Sequence, residues 1–322
     1  SQRWNVGVGT GEFSWSYPLP AAPASLGAAP SLAVGYSSGS VDAMTAAANS
    51  QPSEIGLGWS LTSAFIERSY RICNADGTGW TITDLCWVNG NAEISLNGVA
   101  SRLLPETAVV GNTRRWRLES DPDWVVTQFF AQAPPLGQPY SLHDEDYEYW
   151  TVQTPDGVRY TFGYGREPGT ATETNAVQTV PVFANHSTDP CYSGNPSVSY
   201  CQQAYRWNLE RVEDATGNVQ SYFYTRETNK YGRFSTPSNA TEYVANVVLD
   251  RVEYTKRAGS EGQGAPGGIK LVYSRRCTLL SSGCDLPQNA PSTGTASLYP
   301  DTPVDLICQS LYCTKYSPSF FS

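Results

Sequence analysis

Apolar and polar side chains alternate with period two along much of this chain, in short runs broken by Gly, Pro, Asn and Asp. Between Cys201 and Tyr231 two aromatic-rich runs, 204–213 and 219–225, flank Asp214-Ala215-Thr216-Gly217-Asn218. In the second run Tyr222 and Tyr224 fall on one face and Phe223 on the other, which predicts a half-buried strand. Gly217-Asn218 supplies the positive-φ residues that a tight reversal needs, so the whole reads as a β-hairpin. Residues 149–165 repeat the design: runs 150–153 and 158–162 alternate on either side of Pro155-Asp156-Gly157. Asp-Gly between alternating runs is a strong hairpin signal, and two such units predict a recurrent module without a strict repeat.

The rest of the chain carries weaker versions of the pattern. Residues 4–17 read as a glycine-rich strand or hairpin, and 17–30 as an extended Pro/Ala connector lying over the surface. A short strand at 32–36 leads through a polar loop to Gln51-Pro52. Gly56-Leu57-Gly58-Trp59-Ser60 then opens a second strand ending in Phe65-Ile66-Glu67-Arg68. Glycines beside a large apolar side chain let strands approach closely, with Trp59 in the core. Residues 73–86 form a stapled hairpin loop, and 87–104 short strands with turns at Asn89-Gly90-Asn91 and Asn97-Gly98. Trp116, Trp124, Phe129 and Phe130 mark further strands, as do 244–256 and 269–275. Turn formers dominate 166–200, and the Pro/Ser-rich tail 277–322 has little periodicity. The expected fold is all-β: antiparallel hairpins forming sandwich- or barrel-like sheets. The chain divides into a strand and connector at 1–30, a β-rich module at 31–175 and a disulfide-stapled β module at 176–322.

Composition narrows the class. Of 322 residues 12% are aromatic and only 16% charged, and with 28 Gly and 22 Pro the chain is punctuated too often for long helices. The abundance of Tyr and Trp points to packed strands, not disorder. Met44 is the single methionine. A net charge of −9 argues against a nucleic-acid partner, which needs a basic surface. The pairs Arg114-Arg115 and Arg275-Arg276 fit solvated strand positions better. No apolar run is long enough to span a membrane. No signal peptide opens the chain, so Ser1 reads as a processing boundary. The eight cysteines fall as sequence neighbours: Cys73 and Cys86, Cys191 and Cys201, Cys277 and Cys284, Cys308 and Cys313. Close pairs in even number predict four local disulfides in an oxidising compartment, hence a secreted or cell-surface protein. The rival is a metal cluster, but only Cys308 and Cys313 approach zinc-ligand spacing, and no second such pair accompanies them.

Candidate chemistry is sparse. Gly35-Tyr36-Ser37-Ser38-Gly39 matches GxSxG, yet a nucleophile elbow needs a helix after it and α/β alternation around it. A small-residue turn is the better reading of Ser37. Gly7, Gly9 and Gly11 lack the following helix of a phosphate-binding loop. Asp42 and Glu54 fit turn and strand-edge roles. The acidic run His143-Asp144-Glu145-Asp146-Tyr147-Glu148 could offer oxygen ligands to calcium but lacks an EF-hand's alternation and turn glycine, which favours a solvated turn. With His143 and His186 the only histidines, a Cys–His nucleophile is not expected. Glu210, Glu213 and Asp214 sit near aromatics, the company that sugar-cleaving carboxylate pairs keep. Aromatics at strand period are more often cross-strand pairs, although exposed Tyr and Trp also stack on sugars. The expectation is therefore no catalytic residue, no metal and no cofactor. A cell-surface glycan-binding or adhesion module is the alternative to a purely structural one.

Several segments together resemble one family. GYSSGSVD and IGLGWSLTSAFIER, with Gly56, Gly58 and Trp59, resemble the region before the shell repeats in bacterial RHS/YD-repeat proteins. TPDGVRYTFG, with Asp156 and Gly157, is similar, as is CQQAYRWNLERVEDATGNVQSYFYTRETNKYGR, which contains Trp207. The latter shows the D-x-x-G-N-x(3)-Y-x-Y form of a YD repeat at Asp214, Gly217, Asn218, Tyr222 and Tyr224. PDTPVDLICQSLYCTKYSPSFF resembles the closing piece of this region in secreted members. The resemblance implies a β-shell that encloses or presents a C-terminal toxin. It implies that this chain is a plug or opening segment whose partner is the downstream YD-repeat shell of the same polypeptide. The family's autoproteolytic site has no counterpart among these residues.

Overall fold

The structure, a computed structural model, describes residues 5–6, 11–42, 53–75, 80–120, 123–130, 144–275, 277–279, 283–284, 286, 288, 290–300 and 302–321. Met44, Gly7, Gly9, His143, Arg276 and the segment 43–52 lie outside them. The described fold is all-β, and its helical residues form only short 3₁₀ turns. Strands β1 (Asn5–Val6), β2 (Phe13–Pro18), β3 (Ala33–Ser37) and β4 (Trp59–Leu61) make a four-stranded antiparallel sheet. A 14-stranded sheet follows: β5 (Phe65–Glu67), β6 (Arg71–Ile72), β7 (Leu85–Cys86), β8 (Ala92–Leu96), β9 (Val99–Pro105), β10 (Thr113–Leu118) and β11 (Val125–Phe130). It continues with β12 (Glu148–Gln153), β13 (Arg159–Phe162), β14 (Val177–Phe183), β15 (Tyr200–Glu213), β16 (Asn218–Gly232), β17 (Ala240–Arg257) and β18 (Gly267–Lys270).

Part of this sheet closes on itself. From β5 the pairing runs through β8, β9, β10, β11, β12 and β13 to β15, and β15 pairs back to β5. Every step is antiparallel, which a closed ring permits only with an even number of strands; here there are eight. Closure removes the exposed edges that open sheets must protect. Local sequence makes the tight turns. Between β8 and β9, Asn97 (φ 52°) and Gly98 (φ 78°) form a two-residue reversal with both residues left-handed, which is why an Asn-Gly pair stands there.

Alternation then fills the barrel. Ile94, Leu96, Leu103, Leu118, Val126, Val152 and Phe162 point inward and are buried. Trp116, Trp150 and Trp207 run through the interior with ring centroids 5.4 and 5.8 Å apart. An eight-stranded barrel is just wide enough for side chains to occupy its interior. This one is a packed core, not a channel.

β15 belongs to two structures. Beyond the barrel its first half pairs with β14, which runs parallel to β7. Its last residues pair with β16, and β16 with β17 forms a long ribbon from Asn218↔Arg257 to Gly232↔Ala240. β18 covers only Arg251–Tyr254 of β17. Elsewhere the carbonyls of Glu242, Val244 and Ala245 accept from the side chains of Gln202 and Tyr205.

The structure corrects two burial expectations. The ribbon is covered on both faces, with Tyr222 only 8% and Phe223 only 2% exposed. Tyr222 and Tyr224 face Leu61 of β4 across a cavity of about 490 Å³, while Arg251 lies over the Phe223 ring. Trp59 is half-buried, because it joins Trp15 and Tyr36 in an aromatic cluster of the small four-stranded sheet, away from the main core. The tail lacks periodicity because it pairs irregularly with the ribbon. Lys230 and Gly232 donate backbone N–H groups to Cys308 and Lys315, and Phe320 packs on Tyr205 and Tyr243.

Candidate functional site

The turns at 154–158 and 214–218 lie side by side. At 154–158 the Thr154 hydroxyl donates to Asp156 and the Gly157 N–H to the Thr154 carbonyl. At 214–218 one Asp214 oxygen accepts from the Thr216 and Asn218 backbone amides, and the other from the Asn218 side chain. Desolvation opposes the charge on Asp214, but the hydrogen bonds from Asn218 and Thr216 outweigh it and hold the carboxyl below its ordinary range. Such side-chain mimicry of a backbone turn is why Asp214 starts the second reversal, while Thr154 holds that place in the first. Because β13 pairs with β15, a Cβ on Gly157 would come within 3.1 Å of the Ala215 Cβ. Tyr222 donates to Gln220 and Tyr224 to the Leu209 carbonyl, which ties the ribbon to the barrel wall. The connector crosses this corner: Gln220 donates to the Ala28 carbonyl, and Gly27 lies against Asn218.

A polar network that period-two reasoning did not reveal lies at one end of the barrel interior. Arg68 and Glu148 form a bidentate pair at 2.9 and 2.8 Å, with both side chains 2% exposed. Gln128 donates to Glu148 at 2.7 Å and accepts from Trp116 Nε1 at 2.8 Å. Trp207 Nε1 donates to the Glu148 carbonyl, and the guanidinium sits 5.2 and 5.0 Å from the Trp87 and Trp207 rings. Burial works against the charge on Arg68, but Glu148 overcomes it, and its pKa stands above the ordinary value. Buried pairs of this kind cost about 3–5 kcal/mol to break from one side.

The acidic run is not a solvated turn. Asp144 and Glu148 are 2% and 1% exposed, because Glu148 must point into the barrel to meet Arg68 and draws the run with it. Asp144, Asp146 and Glu148 each bring a carboxylate oxygen within 4.8 Å of the others. Burial, and then the charges of Asp144 and Glu148, push the Asp146 carboxyl up to about 8, against the pull of Arg68. These three could offer oxygen ligands, but Arg68 already holds both oxygens of Glu148. The arrangement suits a retained proton better than a cation.

Glu210 is the second residue that period-two reasoning placed poorly. Thr161 pairs with Arg211 and Phe162 with Leu209, so Glu210 is the extra residue of a β-bulge. A bulge re-aims its side chain, here toward the loop after β13. The carboxylate accepts from the Tyr164 N–H, from the Gly165 N–H at 3.0 Å and from the Thr174 hydroxyl at 2.6 Å. That clamp folds the loop back against the barrel and forms a cavity of about 260 Å³. Its wall carries Phe129 and Tyr149, a cross-strand pair with parallel rings 4.6 Å apart. Tyr164 stands edge-on to Tyr149 at 5.1 Å.

The other candidate residues are scattered. Glu213 pairs with Arg211 at 2.6 Å. Ser37 donates to Glu12 at 2.5 Å at the end of β3, followed by a 3₁₀ turn. His186 lies beside Asp189 on the surface. Asp42 ends a 3₁₀ turn, and Glu54 lines the larger cavity. Gly56 and Gly58 take positive φ just before Trp59. Disulfides join Cys73 to Cys86, Cys191 to Cys201, Cys277 to Cys284 and Cys308 to Cys313.

No family model matches the sequence, and no curated protein matches it. Solved structures do show a likeness. The crystal structure of TcdB2-TccC3 is similar over 87% of this chain and 12% of its own, with a TM-score of 0.46 and 16% identity. The Photorhabdus luminescens Tc holotoxin pore is similar over 87% of this chain and 11% of its own, at 0.41 and 16% identity. The N-terminal domain of the effector protein SpvB from Salmonella typhimurium strain LT2 matches 76% of this chain and 64% of its own, at 0.41 and 17% identity. The chain thus spans about an eighth of the TcdB2-TccC3 chain. At these scores no family assignment follows.

Proposed function

We propose that this chain is a non-catalytic structural module, the opening or plug segment of a secreted β-shell of the RHS/YD-repeat type. Its partner would be the YD-repeat shell of the same polypeptide, and its role would be to help enclose or present a C-terminal effector. The observation that carries the reading is the packing of the hairpin turns at 154–158 and 214–218 side by side against a filled barrel. β15 serves the barrel and also leads into a ribbon that ends on a short strand. Among the described residues the outer edge of β18 carries no strand, so the sheet can be extended there. The candidate nucleophile and carboxylates are engaged structurally: Ser37 with Glu12, Glu210 with its three donors, Glu213 with Arg211 and Asp214 within its turn. Four short disulfide loops fit an oxidising exterior.

The test is a cryo-EM structure of the complete polypeptide that carries this chain. The expected result is a further strand paired antiparallel to β18, with the ribbon forming part of a closed wall. A β18 edge facing solvent, with no shell around it, would overturn the reading.

A further inference from the structure

The cavity behind the Glu210 bulge has no part in a purely structural role. Its two materials are of different kinds. One wall is aromatic, the Phe129–Tyr149 stack with Tyr164 set at 85° to it, so the rings form a corner. The floor is polar and buried: Arg166, Glu167 and Glu210 are 7%, 5% and 2% exposed, and all three line the cavity. Placing charges there costs free energy unless each is paired, and the structure pairs them. Glu167 accepts from Lys256 and Ser221. Arg211 donates to Glu213 and Glu261.

We propose that this cavity is a saccharide-binding site that takes one neutral pyranose ring, with the C–H face of the sugar against Tyr149 and its hydroxyls toward Tyr164 and Thr161. The stacked rings supply a flat apolar surface, and no hydrogen bond from the Tyr149 or Tyr164 hydroxyl to another described residue accompanies it. Burial raises the pKa of both phenols, so they remain protonated donors. At about 260 Å³ the space falls just under the roughly 300–1,000 Å³ of pockets for drug-sized ligands, which suits one sugar ring. Glu167, Glu210 and Arg211 are each held by partners of their own, which disfavours an ionic ligand on the floor. The same pairing argues against hydrolysis, since Glu210 is saturated by three donors and Glu167 by Lys256, leaving neither as a general acid.

The test is saturation-transfer NMR on the whole chain with glucose, galactose, mannose, N-acetylglucosamine and N-acetylgalactosamine at millimolar concentration. At least one sugar should show saturable contact, strongest at its ring C–H protons. Tyr149→Ala should weaken it about tenfold. Thr161→Trp, which fills the cavity while leaving the stack in place, should abolish it, and Tyr312→Ala, on a distant disulfide loop, should not change it. Circular dichroism melting of each variant separates lost binding from lost fold. The site is overturned if no sugar gives a signal, or if folded Tyr149→Ala and Thr161→Trp both bind as wild type does. Neither outcome bears on the shell reading, which rests on the β18 edge.

Discussion

Asp146 stands beside two other carboxylates, Asp144 and Glu148, and the Arg68 guanidinium that holds Glu148 pulls the other way. Its folded pKa of about 8 lies far above the ordinary 3.8, so the folded protein holds a proton that the unfolded chain releases. A raised carboxyl contributes stability that is complete below the unfolded value and is lost as pH rises through the folded one. Wild-type stability should therefore decline between about pH 4 and pH 8. Asp146→Asn, neutral throughout, should lessen that decline, to which the raised Glu148 and Asp84 carboxyls also contribute: its melting temperature should nearly match wild type at the acid end and exceed it at the alkaline end. A difference between the two proteins that does not change with pH would show that Asp146 is not the buried proton carrier.

Hairpins are held at their reversals by backbone conformations that only certain residues tolerate, and two glycines separate conformation from packing. Gly217 has φ 82° and nothing within 4 Å of the place a methyl group would occupy, so Gly217→Ala meets only the left-handed penalty of about 1–2 kcal/mol. Gly163 has φ 73°, but a Cβ there would lie 2.2 Å from the Trp207 ring. Gly163→Ala should add an overpacking cost and lose about 3 kcal/mol or more in urea unfolding. Equal losses at the two positions would mean that Trp207 gives way freely and that the barrel wall is softer than its packing implies. Trp207 is fully buried, and its indole is fixed to the Glu148 carbonyl, which argues against such freedom.

For the molecule as a whole, the closed barrel and the ribbon share one sheet, while the disulfides staple segments outside the barrel ring. The Cys73–Cys86 bond spans 13 residues and is buried, whereas Cys308–Cys313 spans 5. Loop-closure entropy grows slowly with length, so removing the first bond by paired Cys→Ser exchange should cost about 3 kcal/mol and the second about 2. Equilibrium unfolding of the two double variants checks the order. The reverse order would place the stabilising effect in native contacts of the tail instead of in the unfolded chain.

The local pattern by itself determined several strands and their reversals, but not β14 (Val177–Phe183), a fully buried strand in the stretch that reads as turns, because burial on both faces leaves it no alternation. Trp150, Val152 and Phe162 alternate with polar neighbours, and Asp156-Gly157 and Asp214–Asn218 carry turn chemistry within a few residues, so the β12–β13 and β15–β16 hairpins were legible in order. What alternation does not specify is which strand edge meets which. The β13–β15 and β5–β15 pairings that close the barrel arise from shape and edge complementarity over long separations. The same holds for Arg68 and Glu148, which are 80 positions apart, and for Glu210, whose direction depends on a bulge that exists only once β13 is its neighbour. Near-neighbour chemistry is written in adjacent residues. The cavity, the buried ion pair and the retained proton are products of non-local pairing, so they became visible only in three dimensions.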